Sequence, residues 1–189
     1  LEKSRNLATI RVLMAAGVGN VAEVSKRFNI YKDPPKQYSM ALGAYETTLM
    51  NLTAAYASFA SEGMQVYPKL IQRVHDRKGR LIFYSDPREC VGCKKGDEEG
   101  GVLQTHSIPS LKYQAKYLVN PEVNYQMVSM LQGVVERGTA GRAKQLGKTL
   151  AGKTGTSNES FDAWFVGFSP DIVCGVYVGY DNPKTLGDK

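Results

Sequence analysis

Apolar residues recur at spacings of three and four in four segments of the chain, and this pattern predicts amphipathic helices. The predicted helices are residues 7–16, a second one ending at Phe28, a third over about 48–62, and a fourth beginning at Pro121. Asn20 and Glu23 have the spacing of a capping box for the second helix. We interpret the Met-rich stripe of the fourth helix as core: Val123, Met127, Met130, Leu131, Val134 and Val135.

Shorter apolar runs predict strands. Residues 66–74 and 80–84 flank a polar turn at 76–79 and predict a hairpin. Three further strands are predicted at the end of the chain: Leu150 to Thr156, Ala163 to Phe168 and Ile172 to Tyr180. Because their connections are too short for parallel crossovers, these strands should pair antiparallel. The predicted fold class is mixed α and β, with an antiparallel sheet flanked by helices.

Composition narrows the function classes. The 189 residues suffice for one domain with a real core. The net charge is +6, but Lys and Arg are scattered and no basic stripe is interleaved with aromatics, so nucleic acid is not indicated as a partner. No apolar run reaches the roughly 18–20 residues of a membrane helix. The chain begins with Leu1, and we expect it to be a piece of a longer protein.

The cysteines suggest an oxidising compartment. Cys90 and Cys93 form a C-x-x-C without the second pair of a zinc ribbon, in a polar segment over 85–110 that we interpret as a surface excursion. A short disulfide is the favoured interpretation; a thioredoxin-like pair and a share of a metal site are the alternatives. Cys174 lies in an apolar strand and is predicted to be buried. No metal or cofactor is expected.

The segment from Leu150 to Ser157 has the strongest chemical character. Lys153 stands among small and hydroxyl-bearing residues: Thr154, Gly155, Thr156 and Ser157. A partly desolvated lysine has a lowered pKa suited to proton transfer, and the hydroxyls suit a carboxylate. The glycines allow close backbone approach, as at a strand edge that accepts an extended peptide.

Two other interpretations of this segment stay open. Residues 147–154 fit the phosphate-loop pattern G-x-x-x-x-G-K-S/T. That pattern requires a buried strand before it and a helix after it, whereas a polar stretch precedes Gly147 and a poor helix start follows Thr154. The third possibility is a simple Gly/Thr turn with a solvated lysine.

Two tripeptides at opposite ends of the chain resemble the S-x-N and K-T-G motifs of penicillin-binding proteins and serine β-lactamases: Ser4-Arg5-Asn6 and Lys153-Thr154-Gly155. Taken alone, Ser4 and Asn6 could equally be helix caps. Longer blocks extend the resemblance: Ala41–Gly43, Ala54–Gly63, Gly133–Ala140, Ala151–Asn158, Asp162–Pro170 and Val178–Asn182. The chain resembles the C-terminal portion of the transpeptidase domain of class A (bifunctional) penicillin-binding proteins, most of all the type 1A group of Gram-negative bacteria.

The resemblance implies a β-lactamase/transpeptidase-like fold and a peptidoglycan D,D-transpeptidase. Its partners would be stem peptides ending in D-Ala-D-Ala, and penicillins and other β-lactams that mimic them. It implies that Ser4 relays protons, that Asn6 positions the catalytic lysine and the substrate amide, and that Lys153 supports the relay. Thr154 and Thr156 would line the substrate strand. Thr156 would also hold the carboxylate and donate its N–H to the oxyanion.

One motif of the family is missing. No serine here is followed by lysine three residues later, so the nucleophile motif S-x-x-K is absent. We expect that motif, a glycosyltransferase domain and a membrane anchor upstream of Leu1, and we expect these 189 residues alone to be inactive. The implied location is the periplasmic face of the bacterial inner membrane, with partners in a wall-synthesis complex. D,D-carboxypeptidase, β-lactamase and a non-catalytic peptide- or β-lactam-binding module remain alternatives.

Overall fold

The computed structural model describes residues 1–85, 88–91, 110–113, 116–157, 160–182 and 184–187. They fall into two compact units. The first consists of Leu1–Pro68 and Tyr117–Lys189, and the second of Lys69–Lys116. All the residues of the predicted site belong to the first unit.

The first unit contains the four predicted helices: α1 (Asn6–Ala16), α2 (Val18–Arg27), α3 (Leu49–Ala60) and α4 (Pro121–Glu136). The predicted capping box is wrong. Gly17, with φ of 84°, separates α1 from α2, so α2 begins two residues before Asn20. The Asn20 side chain instead donates to the carbonyl of Ala16 at 2.8 Å.

The ends of α3 are well defined. The Thr48 hydroxyl accepts a hydrogen bond from the Asn51 N–H at 3.1 Å and caps the helix start. Gly63 follows the helix with φ of 87°, and a Cβ there would lie 2.7 Å from the Val119 carbonyl oxygen. The Gly63 carbonyl accepts from the Leu118 N–H at 2.8 Å, which joins the end of α3 to the segment leading into α4.

The three strands at the end of the chain form the predicted antiparallel sheet. They are β5 (Ala151–Thr156), β6 (Asp162–Phe168) and β7 (Val173–Gly179), in the order β5-β6-β7. In the β5–β6 register, Lys153 lies opposite Val166. Within the part of the chain that the structure describes, β5 pairs with β6 alone, so its other edge is open.

The core lies between this sheet and the helices α3 and α4. Leu131 of α4 packs with Ala151 and Phe168, and α3 adds aromatic rings to the same cluster. A second cluster joins the C-terminal half of α4 to the residues that follow it: Val134, Val135 and Ala140. These contacts place β5 directly against α4.

Three residues predicted to be buried are not. Val123 and Met130 are 47% and 44% exposed, so only part of the apolar stripe of α4 faces the core. Cys174 is exposed as well. On β7 the neighbouring Gly175 approaches α3, where a Cβ would lie 2.1 Å from the Thr53 hydroxyl oxygen. Because successive residues of a strand point to opposite faces, Cys174 points away from that helix.

The second unit contains two hairpin-like pairs. Strands β1 (Arg73–His75) and β2 (Leu81–Tyr84) form the predicted hairpin, shorter than expected. The turn is held by Asp76, whose carboxylate accepts from the backbone N–H groups of Lys78 and Arg80 and from Arg80 Nε at 2.7 Å.

Strands β3 (Arg88–Val91) and β4 (Ser110–Tyr113) pair antiparallel at the two ends of the polar excursion, where the sequence analysis predicted no strand. Their short polar sequences carry no alternation strong enough to predict them. Residues 92–109, with Cys93, lie outside the described residues, as does the side chain of Cys90. The disulfide therefore stays a prediction.

None of the described helices is by itself long and apolar enough to span a membrane. Helices α1 and α2 reach such a length and apolar composition only together, with a bend of 96° between them.

Candidate active site

Lys153 is the centre of the site. It is half-buried on β5, and its Nζ donates to Ser4 Oγ at 2.8 Å and to the Thr154 carbonyl oxygen at 2.7 Å. None of the ion pairs among the described residues includes Lys153, so no carboxylate of these residues lies within 4 Å to offset its burial. Burial lowers the pKa of Lys153, because desolvation penalises the ammonium form.

Ser4 reaches Lys153 because residues 1–4 lie across the C-terminal end of α4. Arg137 Nη2 is 2.6 Å from Glu2 Oε1, and the Thr139 N–H donates to the Glu2 carbonyl at 3.2 Å. Lys3 Nζ also donates to the Arg137 carbonyl. Ser4 itself has φ of 50°, in the left-handed region that non-glycine residues rarely adopt. These contacts hold its hydroxyl against a residue 149 positions later in the chain.

Two glycines leave room for residues 1–4: Gly133 within α4 and Gly138 just after its C-terminal end. At Gly138 a Cβ would lie 2.4 Å from the Glu2 carbonyl oxygen and 2.7 Å from the Val134 carbonyl oxygen. At Gly133 it would lie 2.0 Å from Glu2 Oε1. Both glycines belong to the block Gly133–Ala140, whose sequence carries the family resemblance but predicts no role for them. Nothing in the sequence alone signalled that Glu2 would pack there.

Asn6 is the first residue of α1 and is exposed. Within the described residues no hydrogen bond joins its side chain to Lys153. Arg5 occupies the N-cap position and makes no side-chain capping bond, so neither Ser4 nor Asn6 caps the helix. The structure thus brings together Ser4 and Lys153, whereas the Asn6 side chain makes no hydrogen bond to either among the described residues.

The hydroxyl groups of the segment differ in what they contact. Thr154 Oγ1 lies 2.6 Å from Thr139 Oγ1, a contact that the sequence analysis missed. Ser157 Oγ accepts from the Asp162 N–H at 2.7 Å, which closes the β5–β6 connection but leaves the hydroxyl proton available. Thr156 is exposed. Of the three, Thr156 is therefore the hydroxyl best placed for a ligand.

The backbone here is a strand and not a phosphate loop. Residues 151–156 are continuously extended, and the strand runs to Thr156 where the nucleotide pattern requires a helix to begin. At Gly152 a Cβ would lie 2.8 Å from the Val166 carbonyl oxygen, so this glycine serves the close pairing of β5 with β6. The structure therefore contradicts the nucleotide-binding alternative and the simple turn.

Together the fold and the site define a class: a mixed α and β domain in which a half-buried lysine touches a serine beside an open strand edge, a combination suited to acyl transfer on an extended peptide. The family model described as "Penicillin binding protein transpeptidase domain" matches residues 13–189. The chain therefore belongs to the penicillin-binding protein transpeptidase domain family. The family match includes Lys153 but begins after Ser4 and Asn6.

Relatives of known name extend the comparison to those two residues. The chain is 47% identical to Penicillin-binding protein 1A of Rickettsia bellii (strain RML369-C), covering 99% of the chain and 23% of that protein. It is 38% identical to Penicillin-binding protein 1A of Neisseria gonorrhoeae, covering 99% of the chain and 21% of that protein. The chain thus spans about a quarter of the length of the curated relatives it matches. The predicted resemblance to the type 1A group is confirmed.

Solved structures confirm the predicted fold class. The crystal structure of Penicillin-Binding Protein 1A from Haemophilus influenzae matches with a TM-score of 0.81 and 29% identity, covering 99% of this chain and 30% of that one. The structure of the PonA1 protein from Mycobacterium tuberculosis in complex with penicillin V has the same fold, with a TM-score of 0.68 and 21% identity over 94% of this chain and 46% of that one.

Proposed function

We propose that the chain is the C-terminal portion of a serine-type D,D-transpeptidase domain that cross-links the stem peptides of peptidoglycan. The observation that carries the proposal is the 2.8 Å hydrogen bond from Lys153 Nζ to Ser4 Oγ beside the open edge of β5. It joins the predicted S-x-N and K-T-G motifs in one place. The family membership and the type 1A relatives support the same function.

The reaction needs a nucleophile from outside these 189 residues. A serine in an S-x-x-K motif attacks the carbonyl carbon of the penultimate D-Ala. The C–N bond to the terminal D-Ala then breaks, and that D-Ala leaves as an amine after taking up a proton. The amine of a neighbouring stem peptide next attacks the acyl-serine ester, forms the new amide and returns the proton to the serine.

Ser4 and Lys153 move the proton in this scheme. The Ser4 hydroxyl accepts from Lys153 and can pass its own proton to the leaving amine. Because the pKa of Lys153 is lowered, its ammonium gives up a proton to the Ser4 oxygen more readily than a solvated lysine does. Asn6 positions the lysine and the substrate amide only once a substrate and the missing motif are present.

The donor peptide binds along the edge of β5. Its backbone adds as a strand, and its terminal carboxylate is held by the exposed Thr156 hydroxyl. Thr154 supports the strand from beside Thr139, and Gly155 and Ser157 complete the substrate-binding segment. The Thr156 N–H serves as one oxyanion donor. Penicillins and other β-lactams occupy the same place, and their opened ring stays on the serine.

The proposed location is the periplasmic face of the bacterial inner membrane. An anchor outside these residues would hold the protein there, and other wall-synthesis proteins would be its partners. The support is the similarity to type 1A penicillin-binding proteins of Rickettsia and Neisseria. An oxidising periplasm would also suit the predicted disulfide between Cys90 and Cys93.

The test is acylation of the longer protein that carries this chain together with an S-x-x-K segment. It is labelled with a fluorescent penicillin, and the adduct is mapped by peptide mass spectrometry. We expect the label on the serine of S-x-x-K and a loss of labelling of at least about a hundredfold in Ser4→Ala and Lys153→Ala, the scale of general acid–base catalysis. Lys148→Ala, an exposed lysine five residues earlier, should label normally.

Failure to label folded protein would refute the transpeptidase proposal and favour a non-catalytic binding module. The 189-residue chain alone provides the converse test, because it holds no S-x-x-K. Its intact mass after incubation with penicillin should be unchanged. An adduct on this chain would show that a serine within it is the nucleophile.

A further inference from the structure

Thr139 contacts both sides of the candidate active site. Its backbone N–H donates to the Glu2 carbonyl oxygen at 3.2 Å, on the segment that carries Ser4. Its side-chain Oγ1 lies 2.6 Å from Thr154 Oγ1, on the strand that carries Lys153. Thr139 follows the C-terminal end of α4 and belongs to neither the S-x-N nor the K-T-G motif. It therefore links two motifs that are far apart in the chain.

These contacts close a ring of hydrogen bonds. Lys153 Nζ donates to the Thr154 carbonyl oxygen at 2.7 Å and to Ser4 Oγ at 2.8 Å. The short chain from Ser4 back to Glu2 and the two contacts of Thr139 complete the ring. Hydrogen bonds in a connected network depend on one another, so a shift of one member is passed to its neighbours. Thr139 is the member of the ring that lies on neither the Ser4 segment nor β5.

The backbone on both sides of Thr139 is held against the end of α4. Gly138 packs so closely that a Cβ there would lie 2.7 Å from the Val134 carbonyl oxygen. Ala140, the next residue after Thr139, is 6% exposed, and its N–H donates to the same carbonyl at 3.1 Å. Thr139 itself is exposed, so its side chain is free to serve the site and its substitution should leave the core intact. The two contacts of Thr139 thus start from a fixed position on the helix.

We propose that Thr139 is a positioning residue for acyl transfer: it holds the strand of Lys153 and the segment of Ser4 at the separation that proton transfer between them requires. The inference rests on the proposed function, since it concerns the same pair of residues. Thr139 acts through Thr154 and Glu2 and not on the reacting atoms. Proton transfer needs its two heavy atoms within about 2.6–3.2 Å, so loosening either contact slows acylation more than it weakens binding.

The experiment uses the longer protein that carries this chain together with an S-x-x-K segment, labelled with a fluorescent penicillin at a series of concentrations. The rates separate the binding constant of the penicillin from the rate constant of acylation at saturation. Thr139→Val removes the hydroxyl but keeps the backbone N–H and the branched shape. We expect its acylation rate constant to fall about tenfold, less than the roughly hundredfold of a 1 Å misplacement. Its penicillin-binding constant should stay within about threefold.

Two further variants separate positioning from a general loss of stability. Thr139→Ser restores the hydroxyl and should acylate within about threefold of the unchanged protein. The matched control is Thr47→Val, which removes a threonine hydroxyl that donates to the Ile30 carbonyl oxygen at 2.7 Å, a contact that includes no residue of the site. It should acylate normally, although it loses a hydrogen bond of the same kind. Equal slowing of Thr47→Val and Thr139→Val would overturn the proposal.

A double-mutant cycle shows whether Thr139 acts through the lysine. Lys153→Ala removes both hydrogen bonds of the ammonium from the ring, so adding Thr139→Val should slow the residual labelling by no more than about twofold. A further loss of about tenfold in this background would overturn the proposal, because Thr139 would then act independently of Lys153. A defect of Thr139→Val confined to the penicillin-binding constant would overturn it as well.

Reductive methylation of lysines with formaldehyde tests the position of Lys153 without catalysis. The modification of Lys153 is compared by tandem mass spectrometry with that of exposed Lys148 in the same protein. Hydrogen bonds to an ammonium favour that charged, unreactive form, so we expect Thr139→Val to raise the ratio of Lys153 to Lys148 modification by at least about threefold. Thr139→Ser should leave the ratio unchanged.

This ratio keeps the two proposals distinguishable. If penicillin fails to label the folded protein, the proposed function fails, and the methylation ratio still decides the role of Thr139. An unchanged ratio in Thr139→Val would overturn that role. Thr154→Val, which removes the other hydroxyl of the pair, should raise the ratio in the same way and takes the place of Thr139→Val if that variant does not fold.

Discussion

Gly138→Ala tests how the Ser4–Lys153 contact is built without touching either residue. A Cβ at position 138 would lie 2.4 Å from the Glu2 carbonyl oxygen, whereas such atoms essentially never approach closer than 3.0 Å. Glu2 must therefore move by at least about 0.6 Å, the difference between the two distances. Val134 blocks a shift of the new side chain toward α4, since its carbonyl oxygen would be at 2.7 Å.

The shift of Glu2 is expected to move Ser4, which lies two residues later in the chain. A shift of Ser4 by the same amount lengthens its 2.8 Å hydrogen bond from Lys153 Nζ beyond the roughly 2.7–3.2 Å of N–H···O hydrogen bonds. Misplacements on the order of 1 Å cost enzymes about a hundredfold in rate. We therefore expect acylation by a fluorescent penicillin to slow by about 10- to 100-fold, or about 1.4–2.7 kcal/mol in activation free energy. The assay uses the longer protein that includes the S-x-x-K segment.

Gly141→Ala serves as the control, because a Cβ there meets nothing within 4 Å. It should acylate within about threefold of the unchanged protein, below the small end of the predicted effect. A folded Gly138→Ala protein with a normal acylation rate would refute the idea that packing of Glu2 positions Ser4.

Three further predictions concern stability, measured by urea unfolding of the 189-residue chain. Because burial lowers the pKa of Lys153 below its ordinary 10.5, the unfolded chain binds more protons between the two values, so stability should rise with pH in that window. Lys153→Met should make that rise smaller, and an unchanged pH profile would contradict the lowered pKa. Thr139→Val removes a hydroxyl hydrogen bond to β5 and should cost about 0.5–1.5 kcal/mol, whereas exposed Thr156→Val should change stability by less than about 0.5 kcal/mol. Leu131 is 2% exposed, so Leu131→Ala leaves a cavity in the core and should lower the free energy of unfolding by about 2–5 kcal/mol. Met130→Ala, at an exposed position, should lower it by less than about 1 kcal/mol. Equal losses would contradict the described core.

The local elements were largely predictable because their signals are local. Helical spacing of apolar residues located all four helices, and the short connections between the last three strands required antiparallel pairing. Predictions that depended on how one element meets another were wrong more often. Cys174 lies among apolar residues but points away from α3 and is exposed. Asn20 has the spacing of a capping box, but the break at Gly17 starts α2 before it. Spacing shows the period of a helix or strand but not which side another element covers.

The sequence by itself determined the segments of regular structure, the chemistry of Lys153 and its neighbours, and the resemblance that the family match confirmed. Tertiary structure decided which of these residues meet. Ser4 lies 149 positions from Lys153, and the packing of residues 1–4 across the C-terminal end of α4 brings their side chains to 2.8 Å. Such contacts depend on backbone approach within a few tenths of an ångström, and periodicity along a sequence carries no information on that scale.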